Sequence, residues 1–273
     1  GSGGSYLGNF VYDPKTNECV HMGRLPLSHY STAVLDGKVY MSGYPSSALY
    51  EYDPARPWTV GVAPSPWVQP LRAEHKDSNP RFLSYLSHAG SGCHKMWTAT
   101  TGADGKVYFG GRWYRDGEGG GLGWWDPKTE KAGGIWKPFS NYQITFITSA
   151  AEGRYIVVST CTCRDAVLNK PTPAQARLFV FDTQQGDIVR EIDPIPGAEW
   201  TGAVAGVGGS EVLALTMDPE ERARAKADGA SDRDIAYGLH DRHSILYKVD
   251  VATGRVLFTV KIPYAVGFRT NEN

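Results

Sequence analysis

His29, Lys95, Gln143 and Glu199 fall at corresponding places in four repeated stretches of the chain, and together they supply a base, a cation, an amide and a carboxylate. Such a set can grip a small polar molecule, with His29 as proton acceptor and Lys95 against an anionic group. The run Arg112-Trp113-Tyr114-Arg115-Asp116 sets planar cations beside aromatic faces, a combination that binds sugars and carboxylates by stacking and paired hydrogen bonds. Lys95, Arg112, Trp113, Gln143 and Glu199 are therefore candidate substrate-binding residues, and Tyr30 or Tyr114 a candidate acid to match His29 as base. His88, His94, His240 and His243 form a second pool that could hold a divalent metal. No His-x-x-x-His or Cys-x-x-Cys spacing fixes such a site within one element, so separate elements would have to assemble it. Gly117-Glu118-Gly119-Gly120-Gly121 lacks the following helix that a phosphate loop needs.

The background is that of an ordinary globular chain. Its 273 residues are 41% hydrophobic and 21% charged, enough for a sizeable core. The 28 Lys and Arg against 29 Asp and Glu leave a net charge of −1 with no long basic run, which argues against a nucleic acid partner. No apolar run approaches the roughly 18 to 20 residues of a spanning helix, and a membrane is not an expected partner either. Cys19, Cys93, Cys161 and Cys163 are too few and too irregular for a disulfide framework, and Cys161 and Cys163 alternate along a strand, so both cannot easily bind one ion. With 32 Gly, 17 Pro, 15 Tyr and 8 Trp, the chain has the balance of short strands, tight turns and aromatic packing.

Two punctuation marks recur. An apolar residue, Asp and a turn appear at Tyr12-Asp13-Pro14, Tyr52-Asp53-Pro54, Trp125-Asp126-Pro127, Phe181-Asp182-Thr183 and Val249-Asp250-Val251. Upstream of four of these stand Leu35-Asp36-Gly37-Lys38, Ala103-Asp104-Gly105-Lys106, Ala151-Glu152-Gly153-Arg154 and Gly208-Gly209-Ser210-Glu211, each joining two alternating apolar runs. Both kinds of turn close hairpins. The unit is thus four antiparallel strands recurring along the chain, which predicts an all-β fold, a β-propeller of four-stranded blades.

These turns resemble those of bacterial propellers of the quinoprotein, YVTN and streptogramin-lyase type. The resemblance spans nearly the whole chain and implies architecture; activity does not follow from it, because the turns belong to the scaffold. Complete blades are expected over 28–70, 92–137, 142–195 and 198–262, with partial blade strands at 6–26 and 264–269, all in one domain over 1–273. A ring of five blades would leave one blade a strand short, so the arithmetic favours part of a six- to eight-bladed ring, with the remaining blades of a larger chain as partner.

In a propeller the first strand of each blade starts at one mouth of the central channel, where the loops between second and third strands also open. The long insertions at 66–92, 112–121, 160–176 and 217–243 are all expected there, and long loops on a rigid frame are where binding sits. Within the last, Asp218 should cap a short helix over 219–227 whose charges face water. The expected function is binding of a small polar ligand, a carbohydrate or uronate, at this mouth, with lyase or hydrolase (glycosidase) chemistry as its extension. The alternative is a non-catalytic interaction propeller with an apolar top built on Trp58, Trp67 and Trp113.

Overall fold

A computed structural model describes residues 9–23, 25, 27–44, 46–60, 76–112, 119–162, 173–231, 234 and 240–265. Of the candidates, Trp67, Trp113, Tyr114, Cys163 and most of the strand expected at 264–269 lie outside these. The described residues form four four-stranded antiparallel sheets and one hairpin, the β-propeller architecture that the repeats predict.

The first blade is β3 (Ser28–Leu35), β4 (Lys38–Tyr44), β5 (Ala48–Tyr52) and β6 (Arg81–Tyr85). The second is β7 (Lys95–Thr101), β8 (Val107–Arg112), β9 (Gly120–Asp126) and β10 (Lys131–Ile135). The third is β11 (Gln143–Ala150), β12 (Tyr155–Cys161), β13 (Leu178–Asp182) and β14 (Asp187–Ile192), and the fourth β15 (Thr201–Gly208), β16 (Glu211–Met217), β17 (His243–Asp250) and β18 (Arg255–Pro263). Ahead of them β1 (Asn9–Asp13) and β2 (Glu18–Gly23) form the separate hairpin. The repeated Asp closes the turn in every copy: the carboxylates of Asp13, Asp53, Asp126, Asp182 and Asp250 each accept the backbone N–H two residues on, at 2.8 to 3.0 Å.

Alternation along the strands buries one row of side chains from each blade against the next. Tyr40, Leu49 and Ala33 of the first blade pack with Met96, Phe109 and Trp125 of the second. Tyr108 and Leu122 meet Ile144, Ile147, Ile156 and Phe181 of the third, and Val157, Leu178 and Val180 meet Val204, Val212 and Tyr247 of the fourth. Each first strand also carries a β-bulge near its start, at Tyr30, Trp97, Thr145 and Gly202/Ala203. The carbonyl just before three of these bulges takes a hydrogen bond from the preceding blade: Ser31 Oγ to Met96 O at 3.1 Å, Trp97 Nε1 to Ile144 O at 2.9 Å, and Thr145 Oγ1 to Thr201 O at 2.5 Å. Polar groups at the channel wall are thus consumed in holding blades together.

The first blade departs from expectation. Its fourth strand is β6, so the blade ends at Tyr85, and its third and fourth strands are separated by 53–80 in the sequence. Arg81–Tyr85 takes the place beside β5. Asn79, almost wholly buried, organises the returning chain: its Nδ2 donates to the carbonyls of Asp53, Arg56 and Pro57, and its Oδ1 accepts Asp53 N–H at 2.9 Å. The other three insertions do join second and third strands.

Candidate functional site

The mouth is read from the ends of β3, β7 and β11 and from the connections above them. Between β4 and β5 the first blade has a short turn, where Ser46 and Ser47 adopt positive φ of 57° and 50°. The connection 86–94 grips that turn: Ser47 N–H reaches His94 O at 3.1 Å, Ser47 Oγ donates to Cys93 O at 2.7 Å, and Ser46 N–H donates to His94 Nδ1 at 3.2 Å. His94 therefore presents Nδ1 as an acceptor, and burial together with the neighbouring Lys95 lowers its pKa. Its ring meets the edge of Tyr44 at 4.9 Å, and Lys95 Nζ lies 5.0 Å from the centre of the same Tyr44 ring.

Lys95 and Arg112 are register partners across β7 and β8. Arg112 is held on two sides. Its guanidinium lies 4.2 Å from the centre of the Trp97 ring, and it donates at 3.0 Å to Oε1 of Gln143 at the start of β11. Trp97 is itself pinned by its indole N–H to the third blade. The structure thus unites Lys95, Arg112 and Gln143 and adds Tyr44, His94 and Trp97. The sequence signal for Trp97 was its alternation with Lys95 on one strand; Tyr44 and His94 carried no signal for this partnership.

Gly43 and Gly111 make this approach of backbones possible. A Cβ on Gly111 would stand 2.0 Å from Lys95 O, and one on Gly43 would stand 1.8 Å from Ser28 O. They face the residue before the bulge in the first two blades, where the third and fourth have Thr160 and Thr216. Bulge register also corrects the alignment of the first strands: His29 corresponds to Met96, Ile144 and Thr201, while Lys95 and Gln143 sit one place earlier, level with Ser28. The offset arises because the turn after β3 has two residues and those after β7 and β11 have five and four.

His29 is occupied by its own strand. Its Nε2 lies 3.1 Å from Ser31 O and 2.6 Å from Thr32 Oγ1, and burial lowers its pKa despite the bond to the Ser31 carbonyl. With Nε2–H donating to Ser31, Nδ1 is a buried atom with no hydrogen-bond partner. Tyr30, on the bulge, is exposed.

Glu199 belongs to a different constellation. It pairs with Lys226 and stands 3.9 Å from Arg222, both on α1 (Pro219–Ala227). Asp218 caps this helix as expected, accepting Glu220 N–H at 2.9 Å. The helix charges do not simply face water. Arg222 is buried and forms a forked pair with Asp241 at 3.0 and 2.7 Å. Glu221 takes His243 Nδ1 at 2.6 Å and the N–H groups of Arg242 and His243, and Lys261 of β18 pairs with Asp218. The helix is thereby tied to the fourth blade by charge.

The four metal candidates separate. His88 packs on Tyr85 at 5.2 Å, His94 accepts from Ser46, His240 is exposed, and His243 pairs with Glu221. Among the described residues no group of three or more His, Cys, Asp or Glu side chains is placed to hold a metal ion. Trp58 stacks obliquely on Tyr52 at 5.4 Å, at the end of β5 away from the mouth, so it does not build an apolar top.

No family model matches the chain, and no curated protein matches it in sequence. Among solved structures it is similar to one described as the structure of the Dos1 propeller, at a TM-score of 0.53 and 10% identity, over 94% of this chain and 51% of that one. The chain thus spans about half the length of this neighbour, and the likeness is one of fold.

Proposed function

We propose that the mouth over the first three blades binds a small polar anion, a carbohydrate bearing a carboxylate such as a uronate. One observation carries the reading: Lys95 and Arg112 stand opposite each other across two strands, with Arg112 braced by Trp97 and Gln143. Two cations on facing strands at one strand end favour an anionic ligand. A guanidinium held flat suits two oxygens in one plane, and the rings of Tyr44 and Trp97 lie against the two cations. The proposal is one of binding. Lyase or glycosidase chemistry, and membership of a particular propeller type, draw no support from His29, whose Nε2 is engaged by Ser31 and Thr32.

Thermal shift and calorimetry with glucuronate, galacturonate and glucose test it. Either uronate should raise the melting temperature through selective binding to the folded state, glucose should not, and Arg112→Gln should remove the shift. Equal responses to uronate and glucose, or none in a folded protein, would sink the reading.

A further inference from the structure

Ser46 and Ser47 lie at positive φ, in the left-handed region that side chains disfavour, so their turn keeps its shape only where its surroundings fix it. Among the described residues, five hydrogen bonds join it to the connection 86–94. Leu86 N–H donates to Ser47 O at 3.1 Å, Ser87 Oγ to Ser46 O at 2.7 Å, Ser47 N–H to His94 O at 3.1 Å and Ser47 Oγ to Cys93 O at 2.7 Å. These four end on backbone carbonyls, which accept at any ordinary pH. The fifth, from Ser46 N–H at 3.2 Å, ends on His94 Nδ1, which accepts only while unprotonated. His94 also reaches the two cations of the mouth. Its N–H donates to Arg112 O of β8 at 3.1 Å, and Lys95 follows it in sequence. Its ring stands edge to face with Tyr44 of β4 at 4.9 Å, and Lys95 Nζ lies 5.0 Å from the centre of that Tyr44 ring. His88 of the same connection turns onto Tyr85 instead. One imidazole thus joins a strained turn of the first blade to the cation pair of the second.

We infer that His94 is a positioning residue of the proposed uronate site, its unprotonated Nδ1 holding Ser46 so that Tyr44 and Lys95 keep their places for the ligand. The inference rests on uronate binding at this mouth. A proton on Nδ1 sets N–H against N–H at Ser46, which frees the strained turn and lets Tyr44 move with Lys95. Burial, and then the charge of Lys95, lower the pKa of the ring from its ordinary 6.5, so the acceptor form prevails at neutral pH. Binding then selects the neutral ring: affinity is full above pH 6.5 and falls as pH drops through the lowered pKa. A uronate carboxylate stays ionised down to about pH 4.5, so the ligand's own charge does not produce this loss. Charge at His94 alone would act the other way, because an imidazolium beside Lys95 draws an anion more strongly. The sign of the pH dependence therefore separates positioning from simple attraction.

Calorimetric titration with glucuronate at about pH 7.5 and about pH 5 tests this on the parent, His94→Asn and His94→Ala. The parent should bind at least about threefold more weakly at the lower pH. His94→Asn offers an amide oxygen where Nδ1 stood and does not titrate, so it should bind as the parent does at the higher pH and keep that affinity at the lower. His94→Ala should bind weakly at both. A parent whose affinity is unchanged or tightens on acidification overturns the role of His94, and so does a His94→Asn protein as sensitive to pH as the parent. Absence of binding at either pH sinks the uronate reading and this role with it, a result distinct from binding that ignores pH. Without ligand, the NMR resonance of the Ser46 amide should move as His94 titrates and stay still in His94→Asn. A Ser46 amide that stays still in the parent removes the contact on which the role depends.

Discussion

Replacing Arg222 with Met should unfold the protein at a markedly lower temperature. The guanidinium and the Asp241 carboxylate bond at 3.0 and 2.7 Å, and their side chains are 5% and 2% exposed. Removing the cation leaves a carboxylate that water cannot reach, and breaking such a pair typically costs about 3 to 5 kcal/mol. For a chain of this size each kcal/mol lowers Tm by roughly 2 to 4 °C, so a fall of about 6 to 20 °C is expected in calorimetry. The double variant Arg222→Met with Asp241→Leu should recover most of it, because two apolar side chains in contact replace both charges at once. Hydrogen exchange in α1 should report where the damage lies: backbone N–H groups of the helix exchange faster in the single variant and slow again in the double one. If Arg222→Met costs less than about 1 kcal/mol, or the double variant is as unstable as the single, the network does not hold the helix as the geometry implies.

Gly111→Ala should destabilise by about 1 to 3 kcal/mol and weaken uronate binding as well, since the new Cβ can be accommodated only by moving the backbone at Lys95. Chemical denaturation and calorimetry on the same variant read the two effects. Glu221 ties pH to stability: burial opposes its ionisation, but the His243 ring and two backbone N–H groups hold its pKa at about 2, down from 4.5. Because the folded pKa is depressed, the contribution is complete above pH 4.5 and is lost as pH falls towards 2. The parent should therefore lose Tm more steeply than Glu221→Gln in that window; parallel curves would refute the assignment.

The scaffold was legible in the sequence because its punctuation is chemical. An Asp that accepts the N–H two residues ahead can be recognised without a partner strand: Asp13, Asp53, Asp126, Asp182 and Asp250 all make that bond, and all but Asp53 close the expected hairpin. The fourth strand of the first blade was not legible. Arg81–Tyr85 is no more apolar than the stretch after Trp58, and what selects it is Asn79, whose four side-chain bonds to a loop more than twenty residues earlier leave no local signature. The ligand candidates divide on similar grounds. Lys95, Arg112 and Gln143 converge because register places their strand ends side by side, whereas His29 was misaligned by turns of unequal length.

Among the described residues most polar groups of the mouth are already engaged. Serine, threonine and tryptophan near the bulges serve the junctions between blades, His94 serves the turn at Ser46, and Glu199 serves α1. Lys95 and Arg112 differ in kind. They lie on facing strands at the mouth, and Trp97 and Gln143 hold the Arg112 guanidinium in place. Lys95→Gln should therefore weaken the thermal response to uronate while leaving the melting temperature without ligand close to the parent's. An anion bound by both would bridge β7 and β8, and that ties the stability of the second blade to what the mouth binds.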